Sequence, residues 1–99
     1  MRLSMQTQQI IKQVVHEIIG QDCSVLLFGS RTDDNRRGGD IDLLIQAPFP
    51  VAERSRMELK IVARLQRLLG DQPIDVLIVD PLTVCHAIHK QALSTGVRL

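Results

Sequence analysis

Three aspartates and one glycine–serine pair carry the chemistry legible in this chain. Asp40 and Asp42 stand two apart in the run Asp40-Ile41-Asp42-Leu43-Leu44-Ile45. In a strand, side chains i and i+2 share one face about 7 Å apart, so both acids point one way and Ile41 and Leu43 the other. The plainer reading, turn or cap residues beside Gly38-Gly39, does not cover Asp42, which lies inside the apolar run. Two like charges beside a buried sheet are costly unless a cation sits between them, and the strand itself holds no Lys or Arg. A divalent metal ion would balance them. A third acid, Asp75, is embedded in Pro73-Ile74-Asp75-Val76-Leu77-Ile78-Val79. Its apolar neighbours mark it as a lone acid on a buried strand; the alternative is a surface residue on an edge strand. If the two strands are neighbours, three carboxylates converge at one edge of a sheet. Such an oxygen-rich set suits Mg²⁺ or Mn²⁺. Two such ions ~4 Å apart can hold the attacking and leaving oxygens of an in-line phosphoryl displacement.

Gly29-Ser30 directly follows another apolar run, Ser24-Val25-Leu26-Leu27-Phe28. Glycine lets the backbone approach a phosphate closely, and serine adds a hydroxyl donor beside free backbone N–H groups. The pair is not a P-loop, because neither the Gly-x-x-x-x-Gly-Lys-Ser/Thr spacing nor its lysine is present. An ordinary strand-to-helix turn is the competing reading. Arg31, Arg36 and Arg37 could neutralise phosphates, Arg31 most directly because it adjoins Ser30, although charged loops are usually only solvated. His86 and His89 stand at helical i, i+3 spacing without an evident third metal ligand. Cys23, Cys85, His16 and the methionines read as packing or surface residues, and Asp71 and Asp80 as loop and cap.

The elements that must position these residues follow from periodicity. Ile10, Ile11, Val14, Val15, Ile18 and Ile19 recur at helical spacing between Ser4, a plausible cap, and Gly20, a natural stop. Residues 24–28 and 41–45 read as buried strands. A helix is expected from Val51 to Leu69, with Met57, Ile61, Leu65 and Leu68 on its core face and Glu53, Arg54, Arg56, Glu58, Lys60, Arg64 and Arg67 mostly solvated. Ile74 to Val79 gives a third strand, Asp80-Pro81 a cap with proline at the first helical position, and Leu82 to Leu93 a third helix. Gly96-Val97-Arg98-Leu99 could add a short edge strand. Alternating helices and strands imply one α/β (α+β) domain over residues 1–99, a small mixed sheet with helices packed against it.

Composition limits what this domain does. Its 99 residues are 44% hydrophobic and 23% charged, which is globular and supports one modest core. Formal charge is +1, and the only aromatic rings besides histidine are Phe28 and Phe49. Extended nucleic-acid binding thus lacks both its electrostatic term and a stacking platform. Two distant cysteines signal neither a zinc knuckle nor a disulfide framework, and no segment reads as a signal peptide or membrane span. A cytoplasmic protein is expected.

The ordered set Gly29-Ser30, a nine-residue gap, Asp40-x-Asp42 and the isolated Asp75 resembles the nucleotidyltransferase superfamily of DNA polymerase β type. More closely, it is similar to the minimal nucleotidyltransferases, small prokaryotic proteins. The resemblance runs from the leading helix to the closing Ala-x-x-x-Gly-Val-x-Leu of the tail. It departs at residues 31–39, where many members have a more compact Arg-Gly-x-Ala-type loop. The resemblance implies a nucleotidyltransferase fold in which Gly29 and Ser30, with Arg31 beside them, bind the triphosphate of ATP or another NTP. It further implies that Asp40 and Asp42 ligate two metal ions, and that Asp75 ligates the catalytic one and helps activate an acceptor hydroxyl. Members of the minimal family often pair with a helical HEPN-type toxin and act as antitoxins, by binding it or by adenylylating a tyrosine on it. An AMP transferase acting on such a partner is therefore expected, the alternative being a non-catalytic antitoxin that neutralises by complex formation, alone or as a homo- or hetero-oligomer. A stand-alone transferase on a small molecule fits less well, because the chain carries no substrate-binding extension.

Overall fold

The computed structural model describes residues 3–28, 41–70, 72–83 and 96–99. In chain order the elements are α1 (Met5–Ile18), β1 (Ser24–Phe28), β2 (Ile41–Gln46), α2 (Arg54–Leu69), β3 (Ile74–Val79) and β4 (Val97–Arg98). The strands form one mixed sheet in the order β3-β2-β1-β4. β1 runs antiparallel to both β2 and β4, and β2 runs parallel to β3, as the α2 crossover between them requires.

Period-two alternation gives the sheet two unlike faces. Val25 and Leu27 of β1, Ile41, Leu43 and Ile45 of β2, and Ile74, Val76 and Ile78 of β3 are all buried, and they meet Ile11, Val14 and Val15 of α1 and Ile61 and Leu65 of α2. The other face carries a second cluster in which Leu26 and Leu44 are buried and Phe28, Leu77 and Val79 pack against them. Asp42 and Asp75 alternate onto this second face, opposite the helices.

Ser4 caps α1 as expected, its hydroxyl accepting the Thr7 N–H at 3.1 Å. β1 and β3 have the expected limits, β2 extends one residue further to Gln46, and the C-terminal residues do pair, with Leu99 N–H donating to Val25 O. α2 begins at Arg54 instead of Val51. The Val51 N–H is taken by the Asp80 carboxylate at 2.8 Å, and Glu53 adopts a left-handed φ of 53°, so residues 51–53 form a turn. Leu68, expected on the core face, is 56% exposed. The buried stripe follows Ile61 and Leu65, flanked by Met57, Val62 and Leu69, and leaves Leu68 at the rim facing Ile10 and Val14. Glu58 and Arg54 are not merely solvated: Glu58 accepts a strand N–H, and Arg54 pairs with Asp80. Leu82 sits in a turn, and the rest of the expected third helix lies outside the described residues.

Candidate functional site

The carboxylates are positioned by sheet register. Phe28, Asp42 and Asp75 are cross-strand partners, so they form one row across β1, β2 and β3 on the face opposite the helices. With neighbouring strands about 4.8 Å apart, Asp42 and Asp75 stand side by side. Their environments differ. Asp42 is half-buried on an inner strand, whereas Asp75 is exposed, because β3 is an edge strand. The strand carrying Asp75 is therefore buried on its helix-facing side only.

Below the acid row lies the apolar row Leu26, Leu44 and Leu77. Gly29 is covalently next to Phe28, so the glycine–serine pair leaves β1 at the end of the strand that meets Asp42. Gly29, Ser30, Arg31 and Asp40 themselves lie outside the described residues, as do Arg36, Arg37, Cys85, His86 and His89. Among the described residues no three of His, Cys, Asp and Glu gather as a metal site. The donor set that is described, two adjacent carboxylates, is anionic and all oxygen, which suits a hard divalent cation.

Two further acids act through structure: Asp80 caps the turn that follows it, as expected, but neither its hold on Val51 nor the reach of Glu58 to β3 was visible in the sequence. Asp80 is 7% exposed. Its Oδ2 accepts the Val51 N–H, and its Oδ1 accepts the Leu82 N–H at 2.9 Å and the Thr83 hydroxyl at 3.0 Å, with Arg54 at 3.4 Å. Arg54 also donates to the Thr83 hydroxyl. The Val51 N–H is the chief influence holding the Asp80 carboxyl below the usual carboxylate range; burial opposes it, while Thr83, Leu82 and Arg54 assist. Glu58 reaches from α2 to accept the Ile78 N–H at 2.8 Å. The sequence hint for Asp80 was its place before proline; for Glu58 there was none.

Other polar features stand apart from the acid row. A hollow of about 520 Å³ on the outer side of α1 is lined by Gln9, Lys12, Gln13, His16, Glu17 and Gln21. It shares Lys12, His16 and Gln21 with a smaller hollow reaching Ser24, the end of β1 away from Phe28. Cys23 is buried, and burial, with Asp22 nearby, pushes its thiol up, so it stays protonated and packs as an apolar side chain.

Residues 8–97 match the family described as nucleotidyltransferase domain. No curated protein matches the chain. Among solved structures, the chain is similar to a toxin–antitoxin MntA–HpeT structure with two Asp-to-Glu substitutions, at 18% identity and TM-score 0.68, covering 93% of this chain and 70% of that one. A second MntA–HpeT structure, with a Tyr-to-Ala substitution, matches at 21% identity and TM-score 0.64 over the same shares.

Proposed function

The chain belongs to the nucleotidyltransferase domain family, and from this premise we propose that it transfers AMP from ATP to a hydroxyl on a partner protein, a tyrosine of a HEPN-type toxin, and so acts as a cytoplasmic antitoxin. The observation that carries this reading is the register pairing of Asp42 with Asp75 at the end of β1 where Gly29-Ser30 begins. The similarity to toxin–antitoxin structures supports the choice of partner.

Nucleotidyltransferase domains typically use divalent metal ions, and Asp40, Asp42 and Asp75 would hold two, Mg²⁺ by preference with Mn²⁺ as substitute. Bound there, the ions neutralise phosphate charge and acidify the acceptor hydroxyl. Gly29, Ser30 and Arg31 bind the triphosphate through backbone N–H groups, a hydroxyl and a guanidinium. Asp75, the outermost acid, orients the acceptor hydroxyl and receives its proton. The acceptor oxygen forms a bond to the α-phosphorus, the bond from that phosphorus to the bridging oxygen breaks, and pyrophosphate leaves. Positioning and charge neutralisation supply most of the rate.

The test is label transfer from α-phosphate-labelled ATP to the co-purified partner with Mg²⁺ present. Label on the partner is expected, with a loss on the order of 100-fold or more in Asp42→Asn. Unlabelled partner, or neutralisation that survives intact in a folded Asp42→Asn variant, would replace catalysis by complex formation as the mechanism.

A further inference from the structure

The sheet order assigns each participant of an in-line transfer a side. Given the proposed transfer, on which this inference rests, the triphosphate lies toward β1, where Gly29-Ser30 begins, and the acids occupy β2 and β3. Attacking and leaving oxygens lie on opposite sides of the phosphorus. The acceptor must then arrive over the outer edge of β3.

Among the described residues, that edge is open beside Asp75. Ile41 N–H donates to Pro73 O and Ala47 N–H to Val79 O. In a parallel ladder this fixes Asp75, Leu77 and Val79 as the residues whose N–H groups face β2, and turns those of Ile74, Val76 and Ile78 outward. Glu58 closes the Ile78 N–H. The outward N–H and C=O groups of Val76 meet no partner among the described residues. Among the described residues the free stretch of edge thus runs from Ile74 to Val76, centred on exposed Asp75, and ends at the Ile78 N–H that Glu58 takes.

We propose that the acceptor is presented as an extended polypeptide segment that adds to the outer edge of β3 by pairing with the backbone of Val76. Main-chain pairing supplies affinity without a deep pocket, and alternate side chains supply specificity. A hydroxyl-bearing residue opposite Asp75 points to the acid face. A residue three positions away passes Ile78, where Glu58 occupies the edge and the segment must leave it, so its side chain comes beside the Glu58 carboxylate. Glu58 Oε2 takes the Ile78 N–H, and its other oxygen has no partner among the described residues. Charge complementarity therefore selects Lys or Arg at that position.

The experiment uses the intact chain and the probe peptide acetyl-Lys-Thr-Val-Tyr-Val-Thr-Lys-amide, which places a lysine three residues from the tyrosine in either strand direction. Amide hydrogen exchange is followed by NMR with and without Mg-ATP. At peptide about ten times its Kd, exchange at Val76 should slow about tenfold, the factor by which the free edge is depleted. A peptide with both valines and both threonines replaced by proline, which removes the N–H that would donate to Val76 O in either strand direction, should give no protection, and replacing both lysines by glutamine should weaken binding. Protection elsewhere without protection at Val76, equal binding by the proline peptide, or equal binding by the glutamine peptide overturns the proposal. So does protection of Val76 that rises with protein concentration without peptide, which would place a second copy of this chain on the edge. Failure of the two readings is distinguishable. Protection at Val76 without AMP transfer to any partner keeps the edge and removes the transferase reading, whereas transfer to a partner without protection at Val76 does the reverse.

Discussion

Asp42, Asp75 and Asp80 are three carboxylates placed in three ways. Asp42 and Asp75 stand next to each other across a parallel ladder with Asp75 open to solvent, an all-oxygen pair of the kind that suits a divalent cation. Asp80 is satisfied by the protein itself, through two backbone N–H groups, the Thr83 hydroxyl and Arg54. Its carboxyl is held below the ordinary carboxylate range, first by the Val51 N–H. A group whose folded-state pKa is depressed stabilises the fold fully above its unfolded value. That contribution is lost as the pH falls through the folded-state value. The Asp80 contribution is therefore complete above about pH 4 and drains at lower pH. Urea midpoints measured at pH 6 and pH 3 should fall with acid in the native chain. Asp80→Asn should lower the midpoint at pH 6 and flatten its dependence on pH. An unchanged midpoint at pH 6 would remove Asp80 from the account of how α2 is joined to β3.

At the scale of elements, what was legible in the sequence was whatever local pattern decides. β1 is an apolar run stopped by glycine, and α1 is a periodic run behind a capping serine; both lie where the pattern puts them. The parallel neighbourhood of β2 and β3 follows from the helical crossover, and it brings Asp42 beside Asp75. What was not legible depends on contacts distant in sequence. The start of α2 is set by Asp80, from the far side of β3, and the exposure of Leu68 by where α1 happens to cross. Glu58 looks like one more charge on a solvated helix face until β3 is found at the sheet edge beside it. The residues that hold α2 down differ from those the pattern suggests, Val62 and Leu69 taking the place of Leu68. Leu65 and Ile61 are fully buried, whereas Leu68 is not. Leu65→Ala should cost about 2–5 kcal/mol in denaturant unfolding. Leu68→Ala should cost well under half of that, and equal losses would contradict the assignment of the stripe.

For the molecule as a whole, the scarcity of rings bears on nucleotide choice. Phe28 and Phe49 are its only Phe, Tyr or Trp residues. Phe28 stands next to Asp42 but packs into the Leu26–Leu44 cluster. Phe49 follows the end of β2 remote from Asp42 and lies against Gly20, where an added Cβ would meet its ring at 3.1 Å. Neither ring is placed as a free platform for a base, so stacking worth about 1–3 kcal/mol per base is not on offer. Nucleotide affinity then rests on phosphate and metal, which ATP, GTP, CTP and UTP share. Competition of each unlabelled triphosphate against labelled ATP, with Mg²⁺ and without a partner, should give inhibition constants within about tenfold of one another, or about 1.4 kcal/mol. Removing Mg²⁺ with a chelator should weaken all four together. Selectivity for ATP on the order of 100-fold in the isolated chain would mean that the base, not the phosphates, is read, and by groups other than the two phenylalanines.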